Sequence, residues 1–357
     1  MSDASSGPEL NAPGSARAKT DEAGRPSPPK IAFEEHFRAC QQKVHYPSPR
    51  VEREIAPKLS LDEIPGRLEM MDEHGIEMQI LSHTADGAQE ISDLDRVRSF
   101  NDDAMAVVQK HPDRFRALAA LPLWDPELAN EEMDRCLAHT EFVGVISNGY
   151  QEAGDEQHWY DTPEYLTFWK HLEDSGAPIY LHPRVAGPDK FTTDYPELAA
   201  SCMMFHTGVF QQVLRLLVCG IFDHCSGIKM ILGHMGEFLP WWIWRFDHRY
   251  EISGWGDYST SAQKARRKSF GFVKESTLDQ VMHRNIWITT SGMFSDPHLK
   301  FSIDLLGSDR ILFATDYPYD DMTKTVHWFD NLTIDDQDKL KIARGNACSI
   351  IPGLLVE

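Results

Sequence analysis

From Ile31 onward the chain alternates short apolar runs with longer segments whose apolar residues recur every three to four positions. The short runs read as buried strands: Ile31–Phe33, Ile76–Ser82, Phe115–Leu121, Phe142–Ser147, Pro178–Leu181, Ile228–Leu232, Ile286–Thr290 and Ile311–Ala314. The segments between them predict helices over Leu61–His74 (closing at Gly75), Leu94–Lys110, Glu127–His139, Glu164–Ser175 and Val209–Gly220. Further along come an aromatic helix over Pro240–Tyr250, a charged one over about Ser261–Val281, one over Pro297–Leu306 and a last near Asp335–Ser349. Eight strands with intervening helices predict an α/β fold, a single parallel (β/α)8 TIM-type barrel. A doubly wound open sheet shares the alternation. The count of eight, and the lack of any strand–GxGxxG–helix turn, favour the barrel.

Residues 1–29 show no such pattern. They are rich in Ser, Ala, Gly, Pro and charge, and cannot bury enough apolar surface to offset ordering entropy, which predicts a disordered tail. No second linker follows, so residues 30–357 form one domain in this reading.

Composition narrows the chemistry. Of 357 residues, 41% are hydrophobic, enough for a sizeable core, while 35 basic against 55 acidic residues leave a net charge of −20. That field argues against nucleic acid as a partner, and an anionic substrate would need local cations or a metal to approach. The six cysteines (Cys40, Cys136, Cys202, Cys219, Cys225, Cys348) form no CxxC pair and no regular framework. They read as reduced thiols, and with no apolar h-region at the start the expected location is the cytoplasm. No apolar run approaches the ~20 residues a bilayer crossing needs, so no membrane association is expected.

Four strands end on metal-type ligands: Lys30-Ile-Ala-Phe-Glu34-Glu35-His36, Ala177-Pro-Ile-Tyr-Leu-His182, Ile228-Lys-Met-Ile-Leu-Gly-His234 and Arg310-Ile-Leu-Phe-Ala-Thr-Asp316. Side chains at i and i+2 of a strand share a face, so Glu34 and His36 point together and Glu35 points away. Glu237 follows His234 by three residues, a spacing at which a carboxylate can orient an imidazole. Taken singly, each ending has a plain alternative: a solvated strand end, a histidine satisfied by carbonyls, or an N-cap aspartate at Asp316. Together at one barrel mouth they make a mixed N/O donor set suited to Zn²⁺, Mn²⁺ or Mg²⁺, with open positions for catalysis.

At these residues the chain resembles the amidohydrolase superfamily, in particular its aromatic-acid decarboxylase branch, the dihydroxybenzoate and γ-resorcylate decarboxylases. The resemblance rests on Glu34-Glu35-His36-Phe37, Tyr180-Leu-His182-Pro183-Arg184, Leu232-Gly-His-Met-Gly-Glu237-Phe-Leu-Pro240, Trp244-Arg-Phe-Asp-His-Arg249, Thr290-Ser291-Gly292 and Ala314-Thr-Asp-Tyr-Pro318. It covers residues 30 to about 350. It implies one divalent metal ion, zinc or manganese before magnesium, held by Glu34, His36, His182 and Asp316, and no organic cofactor. It also implies His234 and Glu237 beside the substrate, Arg245 reaching toward a neighbouring subunit's site, Asn148 near the pocket, and a homodimer or homotetramer. The chain departs from the family pattern at Phe238, Met293, Gly208-Val209 and the bulky pair Trp241-Trp242. Those positions bear on the substrate and the subunit contact, not on the ligand set.

The implied activity is non-oxidative decarboxylation of an ortho-hydroxybenzoate-type acid, releasing CO2 and a phenol. In that chemistry Asp316 protonates the ring carbon bearing the carboxylate, while His234 with Glu237 holds or deprotonates the phenol. A metal-dependent hydrolase of a lactone or amide is the first alternative, although hydrolases of the superfamily usually carry His-x-His on strand 1 where this chain has Glu34-x-His36. A non-catalytic metal-binding barrel is the second.

Overall fold

In the computed structural model the described residues are 22, 24, 27–40, 42, 48–85, 87–153, 156–184, 190–254, 260–272 and 274–355. Apart from Glu22, Gly24 and residues 27–29, the tail expected over 1–29 lies outside them.

Eight parallel strands form one sheet in chain order: β1 (Lys30–Phe37), β2 (Ile76–His83), β3 (Phe115–Ala120), β4 (Phe142–Asn148), β5 (Pro178–His182), β6 (Lys229–Leu232), β7 (Ile286–Thr289) and β8 (Ile311–Leu312). The ring closes between its first and last strands through a bridge of Phe33 to Ala314, with Phe33 N–H donating to the Phe313 carbonyl at 3.0 Å. An open doubly wound sheet has no such closure. The fold is a TIM-type barrel, and no helix among the described residues is long and apolar enough to cross a membrane.

The outer layer contains α1 (Ile64–His74), α2 (Leu94–Lys110), α3 (Pro126–Leu137), α4 (Leu166–Ser175), α5 (Met204–Cys219), α6 (Leu239–Ile252), α7 (Ser261–Phe270), α8 (Leu278–Asn285), α9 (Asp296–Leu306) and α10 (Met322–Asn331). The single helix expected over 261–281 is two, α7 and α8. Gly271 ends α7 at φ +77°, and Thr260 and Thr277 each open a helix with a capping box to Gln263 and Gln280. α10 is absent from the sequence reading; Asp321 caps it by accepting from Thr323 N–H. A hairpin of Gln151–Ala153 with Glu156–His158 is also added after β4.

Two apolar layers follow from strand alternation. Ile31, Phe33, Met78, Ile80, Leu118, Ala120, Ile146, Tyr180, Ile231, Leu312 and Ala314 fill the barrel, while Ala32, Phe37, Leu81, Ala119 and Phe313 face the helices. One position breaks the alternation and decides the site. The β1–β2 register slips between Ala32 and Glu35, and Glu34 lies in the left-handed region at φ +60°. Continued from inward Phe33, strict alternation would send Glu34 and His36 outward and Glu35 inward. The bulge reverses this, so Phe33 and Glu34 both face in and Glu35 faces out.

His83, at the end of β2, is fully buried between the rings of Phe37 and Phe100, with centroids at 4.4 and 5.7 Å, and neither ring nitrogen has a partner. Burial, reinforced by the nearby His36, pushes its pKa down to about 3. A folded-state pKa below the unfolded value of about 6.5 contributes stability that is present above pH 6.5 and is lost as pH falls toward 3. Metal-free protein should therefore lose about 2 kcal/mol from this group alone between pH 8 and pH 5. His83→Leu should flatten that part of the dependence in urea unfolding at the two pH values. An unchanged slope in the variant would refute the assignment.

Candidate metal centre and active site

The mouth of the barrel is built on Glu34, a carboxylate with none of its side chain exposed. Its Oε2 accepts hydrogen bonds from Tyr180 Oη and Ser291 Oγ, with Thr289 Oγ1 at 3.3 Å. Its Oε1 accepts none. That free oxygen faces three imidazole nitrogens instead: His182 Nε2 at 3.4 Å, His234 Nε2 at 3.7 Å and His36 Nε2 at 4.0 Å. Burial pushes the Glu34 pKa up, against the pull of His234.

Room for this carboxylate depends on Gly233. A Cβ there would sit 2.8 and 2.9 Å from the two Glu34 oxygens and 3.0 Å from Tyr180 Oη. Gly292 serves His234 in the same way: a Cβ would meet the imidazole Cδ2 at 2.7 Å and Asp316 Oδ2 at 3.2 Å.

His36 comes from the bulged end of β1. Ser82 Oγ lies 3.2 Å from its Nδ1, while its Nε2 lacks a hydrogen-bond partner and lies 3.3 Å from Asp316 Oδ1. His182 ends β5. Its Nδ1–H donates to the Pro183 carbonyl at 2.7 Å, the Asn148 amide lies 2.9 Å from the same nitrogen, and Nε2 is left for the mouth. Burial, with repulsion from His36 and His234, holds its pKa well below the usual histidine range, so the ring is neutral and able to ligate. Asp316 follows β8 at φ +59°.

Two groups of ligand-type atoms converge here: Glu34, His36 and His182, and Glu34, His234 and Asp316, in each case all within 4.8 Å of one another. A buried carboxylate oxygen and a buried imidazole nitrogen, both without hydrogen-bond partners and both facing the same space, are costly unless a cation lies between them. With neutral His182 and two carboxylates, the donor set fits a divalent ion.

His234 occupies a different position. Its backbone N–H donates to Ser291 Oγ at 3.0 Å, its Nδ1 lies 2.6 Å from Glu237 Oε1, and its Nε2 lies 3.5 Å from Asp316 Oδ2. Burial would lower its pKa, but Glu237 and Glu34 together raise it well above the usual histidine range. Asp316 shows the converse. Burial pushes it up, yet the neighbouring His234 and His36 imidazoles hold its pKa far below the usual carboxylate range. The sequence reading missed His206 on α5, whose Nδ1 bonds Glu237 Oε2. The two partners are 31 residues apart on different elements, so no local spacing signals the contact. Tyr180 was within reach of strand parity, being two residues before His182 on the same strand.

Glu34, His36, His182, His234 and Asp316 thus meet at one mouth, with Glu237 and Asn148 directly behind two of the histidines. Arg245 is not among them; it lies exposed on α6. Beside His234 opens a cavity of about 200 Å³ whose lining includes Phe238, Trp241, Met293 and Phe301. Three of the positions at which the sequence departs from the family pattern therefore shape it. A larger groove of about 730 Å³ runs along α6 past Trp241, Trp244 and Lys274, without contacting the ligand cluster.

Outside the cavity wall, Glu35 accepts from Thr315 N–H at 2.9 Å and from Gln79 Nε2 at 2.9 Å, and Arg67 bonds the His36 carbonyl. Burial pushes the Glu35 pKa up to about 8 against the Thr315 bonds. This network anchors the bulged end of β1 from the helix side.

Comparison with known proteins matches these features. The amidohydrolase family profile matches residues 44–350. The γ-resorcylate decarboxylase of Rhodococcus jostii (strain RHA1) is 36% identical over 335 residues, covering 90% of this chain and 98% of that protein. Among solved structures, a 2,6-dihydroxybenzoate decarboxylase complexed with 2,6-dihydroxybenzoate superposes with a TM-score of 0.81 at 36% identity, over 90% of this chain and 98% of that one. A dihydroxybenzoic acid decarboxylase from Polaromonas sp. JS666, with bound manganese and the inhibitor 2-nitroresorcinol, also gives 0.81, at 35% identity over 90% and 96%. A barrel with this mouth and these relatives belongs to the amidohydrolase family.

Proposed function

We propose that the chain is a metal-dependent, non-oxidative decarboxylase of ortho-hydroxybenzoate-type acids, a carbon–carbon lyase that releases CO2 and a phenol. The observation that carries this reading is the mouth itself, where unpartnered Glu34 Oε1 and His36 Nε2 face neutral His182 and anionic Asp316. It is joined by the activities of the relatives, γ-resorcylate and 2,6-dihydroxybenzoate decarboxylation. Glu34, His36, His182 and Asp316 would hold one divalent ion, manganese by analogy with the Polaromonas protein and otherwise zinc or magnesium. Bound there, the ion supplies Lewis acidity toward an oxygen-rich anionic substrate, which a protein of net charge −20 would otherwise repel.

The remaining chemistry falls to the chain. Decarboxylation of ArCO2⁻ takes up one proton: the ring carbon gains H, the C–C bond pair returns to the ring, and CO2 leaves. Asp316 is our acid toward carbon. Because its environment holds it as a carboxylate, it must first receive a proton, and we assign the source to His234, 3.5 Å away, since the closer His36 is taken up as a ligand. Having given up that proton, His234 is a base for the phenol hydroxyl, oriented by Glu237, and the phenolate product takes one proton from solvent to leave as the phenol.

Exposed Trp241 (71%), Trp244 (71%) and Trp242 (42%) share α6 with exposed Arg245, which supports a homodimer or homotetramer in which this helix meets a second copy. Six free cysteines support a cytoplasmic setting.

A panel of ortho-hydroxybenzoates assayed for CO2 release, with lactones and amides run in parallel, tests the reading directly. Hydrolysis without decarboxylation would overturn it. Asp316→Asn should lower kcat by about 10²–10⁴-fold with an unchanged circular dichroism spectrum. Substantial residual turnover would remove Asp316 as the acid. His234→Ala should lose rate while the purified protein retains its metal. Metal loss in parallel with activity would make His234 a ligand instead.

A further inference from the structure

Glu237 carries more than its role toward His234 requires. One oxygen suffices to orient an imidazole, yet both of its oxygens are taken by histidines from two different elements: Oε1 by His234 and Oε2 by His206 in the first turn of α5. Glu237 has none of its side chain exposed, whereas the His206 side chain keeps 17% of its surface exposed. Phe238 packs on His206 with ring centroids at 4.9 Å, and the His206 and His234 rings meet edge to face at 6.0 Å.

The backbone makes this second contact consequential. His234, Met235, Gly236, Glu237 and Phe238 all have positive φ, from +49° to +81°. Neither Glu237 nor its neighbours lie in a regular strand or α-helix, so the chain alone does little to fix the carboxylate plane. A buried carboxylate oxygen without a donor is costly, and the group would rotate or draw in water to recover a partner. Donation from His206 Nδ1–H removes that freedom. With Glu237 fixed, the His234 Nδ1–H is engaged and Nε2 points to the mouth.

We propose that His206 is a positioning residue for His234, acting by clamping the second oxygen of Glu237. The role rests on the decarboxylase reading, in which His234 passes a proton to Asp316 and accepts the phenol proton. Beyond its edge-to-face contact with His234, His206 reaches neither the four metal ligands nor the substrate in this assignment. It ties the left-handed segment after β6 to α5, so that a helix outside the barrel sets the orientation of an imidazole at its mouth.

The test compares His206→Leu, which removes the donor, with His206→Asn, whose Nδ2–H can occupy the place of Nδ1–H. His206→Leu should lower kcat on the best hydroxybenzoate by about 10- to 100-fold, with KM and metal content close to wild type. His206→Asn should recover most of that loss. In a Glu237→Ala background, His206→Leu should add little. Independently of turnover, the strongly deshielded Nδ1–H proton of His234 should be present in NMR spectra of wild type and His206→Asn and absent from His206→Leu. Wild-type kcat in His206→Leu would overturn the proposal. So would an equal loss in both variants with the proton signal intact, since that marks helix packing alone. If wild type releases no CO2 while the proton signal still depends on residue 206, the decarboxylase reading falls and the clamp stands.

Discussion

A fully buried carboxylate with one oxygen saturated and the other bare is the constraint from which the site is built. Tyr180 and Ser291 hold Glu34 Oε2 and thereby fix the direction of Oε1, toward three imidazoles. Taking such a group out of water is tolerable only with compensating positive charge. The surroundings show what that demand shapes. Position 233 has no side chain because any Cβ would strike the carboxylate, and Tyr180 extends through the barrel core to reach it. The bulge in β1 turns Glu34 inward at all. Each of these features costs packing or backbone energy by itself, and each makes sense once a cation sits against Oε1.

Most of the barrel was legible because its strands are buried on both faces, so they read as apolar runs bounded by Gly, Pro and charge. The helices were legible where caps are explicit, as at Gly75 and the Leu94–Lys110 segment, and were misread where polarity is uniform. The Ser261–Val281 region is charged throughout, and only the Thr260 and Thr277 capping boxes mark its division into two helices. The site was legible to the extent that ligands end strands. That Glu34 and His36 share a face follows from alternation, but which face follows only from the bulge, and nothing in Ala-Phe-Glu-Glu-His announces one. His206 meets Glu237 across 31 residues and two elements, where one-dimensional spacing carries no information, whereas strand parity with His182 places Tyr180 on the inward face without revealing its partner Glu34, 146 residues away.

Histidines of one type take opposite roles here because their neighbours differ. His182 has a carbonyl at Nδ1, two imidazoles nearby and little water, so it stays neutral and presents a lone pair. His234 has a carboxylate at Nδ1 and two more beyond Nε2, so its proton affinity is raised well above the usual histidine range. A ligand needs the first environment and a proton carrier needs the second. Their surroundings therefore differ electrostatically in the sense the proposed roles require, although His234 and His182 both follow barrel strands and look alike in sequence. The low proton affinity of Asp316 complements the high affinity of His234.

Backbone strain is distributed in the same way. Of seven described non-glycine residues at positive φ, six are Glu34, His234, Met235, Glu237, Phe238 and Asp316, all at or beside the mouth. Each such residue costs about 1–2 kcal/mol relative to ordinary backbone, and a fold retains that cost only where its surroundings enforce it. Here the enforcing contacts are visible: Ser291 at the His234 amide, His206 at Glu237, Pro240 opening α6 just after Phe238, and Thr315 holding Glu35 beside the bulge. Strands that ended in relaxed extended conformation would alternate their side chains between mouth and wall. Turning left-handed at the ligand positions breaks that alternation and lets consecutive stretches deliver carboxylate, imidazole and their supports to one small volume. The rigid barrel thus supplies the directions, and the strained strand ends supply the convergence that a metal ion and an anionic substrate require.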